Sequence, residues 1–137
     1  MKLIVSLLVA TALFISTSIT AQNKTIIVTV VNVSSDSGMV EFALHNKTTF
    51  LKTPIQSIKA KIIDGKSTVT FENIEPGEYA VACYHDKNDN GKMDFQPNGM
   101  PLESYGSSNN YMNFGPPNYD KAKFVVTDKN VSLDIKF

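Results

Sequence analysis

One stretch decides the fold of this chain: Asn73-Ile74-Glu75-Pro76-Gly77-Glu78-Tyr79-Ala80-Val81. Pro76 and Gly77 form a turn signal, because proline presets one turn dihedral and glycine accepts a positive φ. Tyr79 and alternating small or apolar residues follow at once, which is a strand pattern. Such a turn between two strands delivers the chain from one sheet of a sandwich to the facing sheet. The stretch therefore predicts a β-sandwich.

Strand signals continue on both sides of this crossing. Each is a run of β-branched or alternating apolar residues bounded by Gly, Asn, Asp or Ser. We assign strands to residues 25–33, 39–45, 55–63, 68–71, 78–85, 122–126 and 131–137. Asp64-Gly65 is predicted to be a tight hairpin turn that pairs the third of these strands with the fourth. Since helical periodicity is missing, we predict an all-β chain: one antiparallel β-sandwich of about seven strands, prealbumin-like or immunoglobulin-like, with a long loop insertion at residues 86–120.

The first 21 residues have the organisation of a secretory signal peptide. Met1-Lys2 precedes an apolar run that ends at Ile15, and small and polar residues lead up to Ala21. The apolar run is too short for a membrane span of roughly 20 residues. We therefore expect residues 22–137 to form one exported domain that is periplasmic, on the outer surface or extracellular. Its one cysteine cannot form an internal disulfide, so the core must hold the domain together.

Charge argues against two classes of partner. The sequence has 13 lysines, no arginine and 13 acidic residues. Arginine is the usual bidentate clamp for phosphate, and no basic run replaces it, so we expect no binding of nucleic acid or anionic membranes. We expect a monomer.

The motif with the clearest chemistry follows the strand of residues 78–85. It reads Asp86-Lys87-Asn88-Asp89-Asn90-Gly91-Lys92-Met93-Asp94. Oxygen ligands at the first, third, fifth and ninth places, with glycine at the sixth, are typical of a calcium loop of EF-hand type. We predict a Ca²⁺ site with these ligands: Asp86, Asn88, Asn90, Lys92 (carbonyl), Asp94 and Glu103. Glu103, from the next loop, replaces the usual twelfth ligand, where Pro97 stands. The alternative is a long turn in which Asn and Asp simply favour left-handed backbone.

Other candidate residues flank this loop. His85 is either part of a hydrolase site with Asp86 and Glu103, or a strand-end histidine that donates to loop backbone. His45, at the end of another strand, could approach it. Cys83 shares a strand face with His85 and lies among core residues, where a nucleophile would lack exposure. Since we find no Ser-His-Asp order, zinc spacing or nucleotide loop, we expect the chain not to be an enzyme.

Four aromatic residues lie among Gly, Ser and Asn in the later part of the insertion: Tyr105, Tyr111, Phe114 and Tyr119. They either pin the loop to the sandwich or form a binding surface for a protein, peptide or glycan. A loop as long as residues 86–120 is rarely idle in a compact domain. We therefore predict a binding or accessory module whose working surface is residues 86–109. A purely structural domain without a ligand is the alternative.

Two motifs resemble those of an uncharacterised family of exported bacterial β-sandwich proteins, a domain of unknown function. H-D-x-N-x-N-G-x-x-D fits residues 85–94, and G-x-P-x-E-x-Y-G-x-S-N fits residues 99–109. Ser107 departs from the pattern, in which an aromatic residue is expected. The step I-x-P-G-x-Y-x-V at residues 74–81 also resembles a turn of prealbumin-like and collagen-adhesin B-type sandwiches. These resemblances imply a fold and a family, and they carry no established activity.

Overall fold

The computed structural model describes residues 22–111 and 113–137. The predicted signal peptide at residues 1–21 lies outside this part of the chain. Where the structure describes the chain, no helix is long and apolar enough to cross a membrane.

The described residues form eight strands in two sheets. The strands are β1 (Lys24–Val30), β2 (Met39–His45), β3 (Gln56–Ala60), β4 (Ser67–Ile74), β5 (Gly77–Asp86), β6 (Tyr105–Ser107), β7 (Phe124–Val126) and β8 (Val131–Ile135). A 3₁₀ turn (Ser108–Asn110) and a short helix, α1 (Tyr119–Ala122), lie between β6 and β7.

The smaller sheet has the order β4-β1-β8, and the larger has the order β3-β2-β5-β6, with β7 also paired to β5. The pairs are antiparallel except β1 with β8, which is parallel. The prediction of an all-β sandwich of about seven strands is therefore confirmed.

Alternation along the strands supplies the core. On β2, Val40, Phe42 and Leu44 are fully buried, and the residues between them are partly exposed. β1 repeats the pattern, and Phe71 of β4 adds a second buried aromatic ring from the facing sheet. Each fully buried side chain of this size stabilises the fold by about 1.5–3 kcal/mol. The two inner faces thus hold the sandwich together without a disulfide.

The chain crosses between the sheets where the Pro-Gly turn predicts. β4 ends at Ile74 in the smaller sheet, and β5 begins at Gly77 in the larger. The Tyr79 hydroxyl donates to the Glu75 carbonyl at 2.9 Å, which closes the corner. Burial, and then the charge of Glu75, raises the pKa of Tyr79, so its hydroxyl keeps the proton that it donates.

Asp64-Gly65 is a tight turn, but it does not join two paired strands. Both residues have positive φ, 52° and 73°, as a type I′ turn requires. A bridge between Ile63 and Lys66 closes the turn. The strand before the turn, β3, pairs with β2, whereas the strand after it, β4, pairs with β1 in the other sheet. The prediction that residues 55–63 and 68–71 form one hairpin is therefore wrong. The turn chemistry sets the local backbone, whereas the sheet that each strand enters depends on its distant partners.

One edge of β5 is shared by two short strands, with a buried serine between them. β7 pairs with Gly77–Tyr79, and β6 pairs with Ala82–Tyr84. The Ser108 hydroxyl accepts the Val81 N–H at 3.0 Å and donates to the Ala122 carbonyl. Because this site is fully buried, water cannot bond to the Val81 N–H and the Ala122 carbonyl. The Ser108 hydroxyl supplies the hydrogen bonds that a neighbouring strand would otherwise make.

We expect Ser108→Ala to lower the free energy of unfolding by about 1–3 kcal/mol, because buried main-chain groups lose their partner. Chemical denaturation of residues 22–137 measures this loss. The matched control is Ser132→Ala, at an exposed serine on β8, which should change stability by less than about 0.5 kcal/mol. Equal stability of the two variants would show that the hydroxyl does not bridge the ladder.

Candidate functional site

The loop of residues 86–94 begins with a buried carboxylate. Asp86 is the last residue of β5 and is fully buried. Its Oδ1 accepts the Asn90 N–H at 3.0 Å, and its Oδ2 accepts the Gly91 N–H at 2.8 Å. Gly91 has a φ of 79°, the left-handed region that glycine enters without strain. The first carboxylate of the motif therefore folds the loop back over the end of β5.

Three polar side chains converge inside this loop. Asn88 Nδ2 donates to Asp94 Oδ2 at 2.8 Å, and Asn90 Nδ2 donates to Asp94 Oδ1 and Oδ2 at 3.0 and 2.8 Å. These bonds, first from Asn90 and then from Asn88, lower the pKa of Asp94. Its carboxylate is therefore charged at neutral pH.

The amide oxygens in the loop bind main-chain groups. Asn88 Oδ1 accepts the Asn90 N–H at 3.3 Å, and Asn90 Oδ1 accepts the Lys92 N–H at 3.1 Å. The oxygen and nitrogen of an asparagine amide exchange places when the group rotates by half a turn. Such a rotation would direct both amide oxygens toward Asp94, at the loss of these two main-chain bonds.

Glu103 lies against the loop from the neighbouring segment. Its Oε1 accepts the Lys87 N–H at 3.1 Å, and its Oε2 accepts the Asp94 N–H at 3.0 Å. A bridge between Phe95 and Pro101 explains this approach, because it turns the chain back so that Glu103 returns alongside Asp94. Glu103 thus occupies the neighbourhood in which the motif lacks its twelfth ligand. Coordination of a cation by this group stays a prediction.

Lys59 also reaches the loop, although the motif does not include it. Its Nζ lies 3.7 Å from Asp86 Oδ2, 3.8 Å from Asp89 Oδ1 and 3.7 Å from Glu41 Oε2. The pairing of β3 with β2, which puts Lys59 opposite Glu41, brings the ammonium to this edge of the sheet. The only sequence signal is the outward alternation of Lys59 on β3, which does not name the neighbouring strand. This ammonium offsets part of the negative charge at the loop.

Among the residues that the structure describes, no group of three or more His, Cys, Asp and Glu side chains is arranged to hold a metal ion. The predicted calcium ligands include two asparagine side chains and the Lys92 carbonyl. The three predicted carboxylates, Asp86, Asp94 and Glu103, thus do not form such a group among the described residues, and a calcium site would also need these amide and carbonyl oxygens.

The flanking histidines and the cysteine have structural surroundings. His85 is buried, and its Nε2 donates to the Ser37 carbonyl at 2.7 Å, which belongs to the turn between β1 and β2. The register of β2 and β5 puts His45 and His85 at opposite ends of the paired segment, so they do not meet. Burial raises the pKa of the Cys83 thiol. The three residues of the alternative hydrolase site, His85, Asp86 and Glu103, all form hydrogen bonds with main-chain groups.

The aromatic residues of the insertion divide between the two predicted roles. The Tyr105 hydroxyl donates to the Gly115 carbonyl at 3.2 Å, and the Tyr119 hydroxyl donates to a β5 carbonyl at 3.4 Å, so both pin the loop. Tyr111 is 46% exposed, and Phe114 is fully exposed. These two rings are therefore accessible to a partner.

A cleft of about 400 Å³ lies beside the calcium-type loop. Its walls come from two loops, β6 and the residues after β8, and they include Met100, Glu103, Tyr105, Tyr111, Lys136 and Phe137. Glu103 also lines a smaller pocket with Asn88 and Asp94. Leu102 and Glu103 thus lie between the loop and a cleft whose volume suits a small ligand or part of a peptide.

A family model described as "Uncharacterized protein conserved in bacteria (DUF2141)" matches residues 28–134. This span includes the calcium-type loop, the sheet crossing at residues 73–81 and the cleft except for Lys136 and Phe137. The chain belongs to the DUF2141 family. The predicted membership of an uncharacterised bacterial family is confirmed, and the description of DUF2141 assigns no activity. The search of curated proteins and the search of solved structures found no match.

Proposed function

We propose that this DUF2141 protein is an exported, non-enzymatic β-sandwich that acts as a binding or accessory module at the cell envelope. Calcium in the loop of residues 86–94 would stabilise its working surface, residues 86–109. The observation that carries this proposal is the position of Glu103. Its carboxylate contacts the loop at two main-chain N–H groups, while the same side chain lines the cleft.

The donors suit a hard cation. Calcium takes six to eight oxygen ligands in flexible geometry. Carboxylate oxygens come from Asp86, Asp94 and Glu103, amide oxygens from Asn88 and Asn90, and a carbonyl from Lys92. The half-turn of the two amides described above would direct their oxygens to the point where the loop side chains converge.

The charge of the site predicts weak affinity. Asp86, Asp94 and Glu103 bring three carboxylates, and the Lys59 ammonium lies 3.7 Å from Asp86 Oδ2. A divalent cation would meet repulsion from this ammonium, whose side chain is partly exposed and can move toward Glu41. An affinity of about 0.1–1 mM, which is common in extracellular modules, fits such a site.

A thermal melt of residues 22–137 in excess chelator and then in ~2 mM calcium tests the proposal. For one site, linkage predicts about 0.6–1.8 kcal/mol of stabilisation. The melting midpoint should then rise by about 2–10 °C and saturate with calcium concentration. Magnesium at the same concentration should have little effect, because the loop donors do not impose its octahedral geometry.

Two variants locate the effect. Glu103→Gln should lose most of the calcium-dependent rise, because a charged ligand becomes neutral. Glu72→Gln removes an exposed acid on β4, in the other sheet, and should keep the full rise. A wild-type midpoint that does not move with calcium would refute the cation site, and a normal rise in Glu103→Gln would remove Glu103 from it.

A further inference from the structure

The strand β6 is an edge strand of the larger sheet, and its outer side lies along the cleft. The His85 N–H donates to the Ser104 carbonyl at 2.9 Å, which sets the phase of the ladder between β5 and β6. In an antiparallel ladder, alternate residues point their main-chain groups at the partner strand. Gly106 therefore faces β5, whereas Tyr105 and Ser107 direct their N–H and C=O groups away from it.

Three of these four outward groups have no partner in the described part of the chain. The Ser107 C=O accepts the Asn110 N–H as the first bond of the 3₁₀ turn of residues 108–110. The other hydrogen bonds of residues 22–111 and 113–137 do not include the N–H or C=O of Tyr105 or the N–H of Ser107. Ser107 is only 6% exposed, so this edge lies at the bottom of the cleft. Two donors, the N–H groups of Tyr105 and Ser107, and one acceptor, the Tyr105 C=O, are thus aligned there at the spacing of an added strand.

Side chains bond to main-chain groups at two other sheet edges, β8 and β4. On β8, the Asn110 amide donates to the Asp134 carbonyl at 2.9 Å and accepts the Lys136 N–H at 2.8 Å. On β4, Gln56 Nε2 donates to the Glu72 carbonyl at 2.9 Å. Proteins usually protect their open edges in this way, because unpaired strands bind other chains. Among residues 22–111 and 113–137, no side chain bonds to the outer edge of β6 in this way.

The walls of the cleft suit the side chains of an extended peptide. Met100, Leu102 and Tyr111 are 59%, 62% and 46% exposed and form an apolar rim. Alternate residues of an extended strand point to the same side, so every second peptide side chain would meet this rim. Apolar residues at alternate positions would therefore be favoured.

The charge of the cleft favours one kind of peptide side chain. Lys136 lines the cleft, and within the described residues its ammonium is in no ion pair. The acid in the cleft, Glu103, is committed to main-chain N–H groups of the loop. An acidic side chain on the bound peptide would complement Lys136.

We propose that the outer edge of β6 binds an extended peptide segment of another protein by strand addition. The peptide main chain pairs with the N–H and C=O of Tyr105 and with the N–H of Ser107. Apolar side chains at alternate positions contact the rim, and an acidic side chain meets Lys136. This names the kind of partner for the binding module proposed above and rests on that function.

The probe is a phage-displayed library of random linear dodecapeptides, selected on residues 22–137 in ~2 mM calcium and, separately, in chelator. We expect enriched peptides with alternating apolar residues and an acidic residue. A synthetic copy of an enriched peptide should slow hydrogen exchange at the Tyr105 and Ser107 amides. N-methylation should abolish binding at the one peptide amide that donates to the Tyr105 carbonyl and should be tolerated at the two neighbouring amides, because these point away from β6.

Charge variants complete the test. Lys136→Glu should lower the affinity for the synthetic peptide by about tenfold or more, because it places two negative charges close together. Lys129→Glu, at an exposed lysine in the turn before β8, should bind like the wild type. The proposal is overturned if no peptide is enriched, if N-methylation is tolerated at every peptide position, or if a glycan array yields oligosaccharides that bind in the cleft while peptides do not.

The two proposals fail separately. Peptide binding that is equal in calcium and in chelator supports strand addition and contradicts calcium control of the surface. A calcium-dependent melt without an enriched peptide supports the cation site and overturns strand addition.

Discussion

Replacing Asp86 by asparagine is expected to lower the free energy of unfolding by about 3 kcal/mol. The Asp86 carboxylate is fully buried and accepts the N–H groups of Asn90 and Gly91. Asparagine keeps the shape but has one acceptor oxygen, so its amide nitrogen would face one of these donors. The Lys59 ammonium would also lose its buried partner.

Chemical denaturation in excess chelator measures this loss without any contribution from calcium. Hydrogen exchange at the Asn90 and Gly91 amides should accelerate in the same variant. Asp89→Asn is the matched control, because Asp89 belongs to the same loop, is exposed and lies 3.8 Å from Lys59. Its loss should be below about 1 kcal/mol. Similar losses in both variants would mean that Asp86 does not organise the loop.

Gly38→Ala is expected to destabilise the protein by about 3 kcal/mol or more, because strain and a collision add together. Gly38 has a φ of 76°, which an L side chain rarely adopts. An added Cβ would also collide with the carbonyl oxygen of Asp86 and lie 2.7 Å from the Cα of Lys87. The neighbouring atoms are backbone and cannot rotate away. The turn before β2 is thus in direct contact with the start of the calcium-type loop.

Gly99→Ala separates the two contributions. Gly99 has a similar φ of 83°, but an added Cβ would meet nothing within 4 Å. We expect this control to lose only the strain, about 1–2 kcal/mol. Denaturation of both variants gives the difference. If Gly38→Ala were no more harmful than Gly99→Ala, the close contact with Asp86 would be wrong.

The parts of the fold that follow from the sequence are those with a local cause. The bounds of β2, residues 39–45, are predicted without error, because Val40, Phe42 and Leu44 alternate with less buried residues between two turn clusters. The sheet crossing at residues 73–81 also follows from its turn chemistry. The contact of Glu103 with the loop could be anticipated because a vacancy in a known motif must be filled from nearby.

Other features depend on distant partners or on very short elements. To predict that β3 and β4 enter different sheets, or that Lys59 reaches the loop, one must know the order of strands. The β-branched composition of the strands does not give that order. Helix α1 spans residues 119–122, too short for periodicity, and shifts the start of the predicted strand 122–126 to Phe124. Ser108 gave no signal, because a serine that bridges a broken ladder has the same local sequence as a loop serine.

The parallel pairing of β1 with β8 has a kinetic consequence. Ile26 lies opposite Val131, so this pair closes a loop of more than a hundred residues before it contributes any stability. Contacts this distant along the chain slow folding, and β-rich domains of this kind fold in milliseconds to seconds. During synthesis from the amino end, β1 can pair with β4 as soon as both are made, but its other edge stays unpaired until β8 is available. Until then the incomplete domain has an unpaired strand edge that can bind neighbouring chains and aggregate. Pairing of β8 with β1 covers this edge.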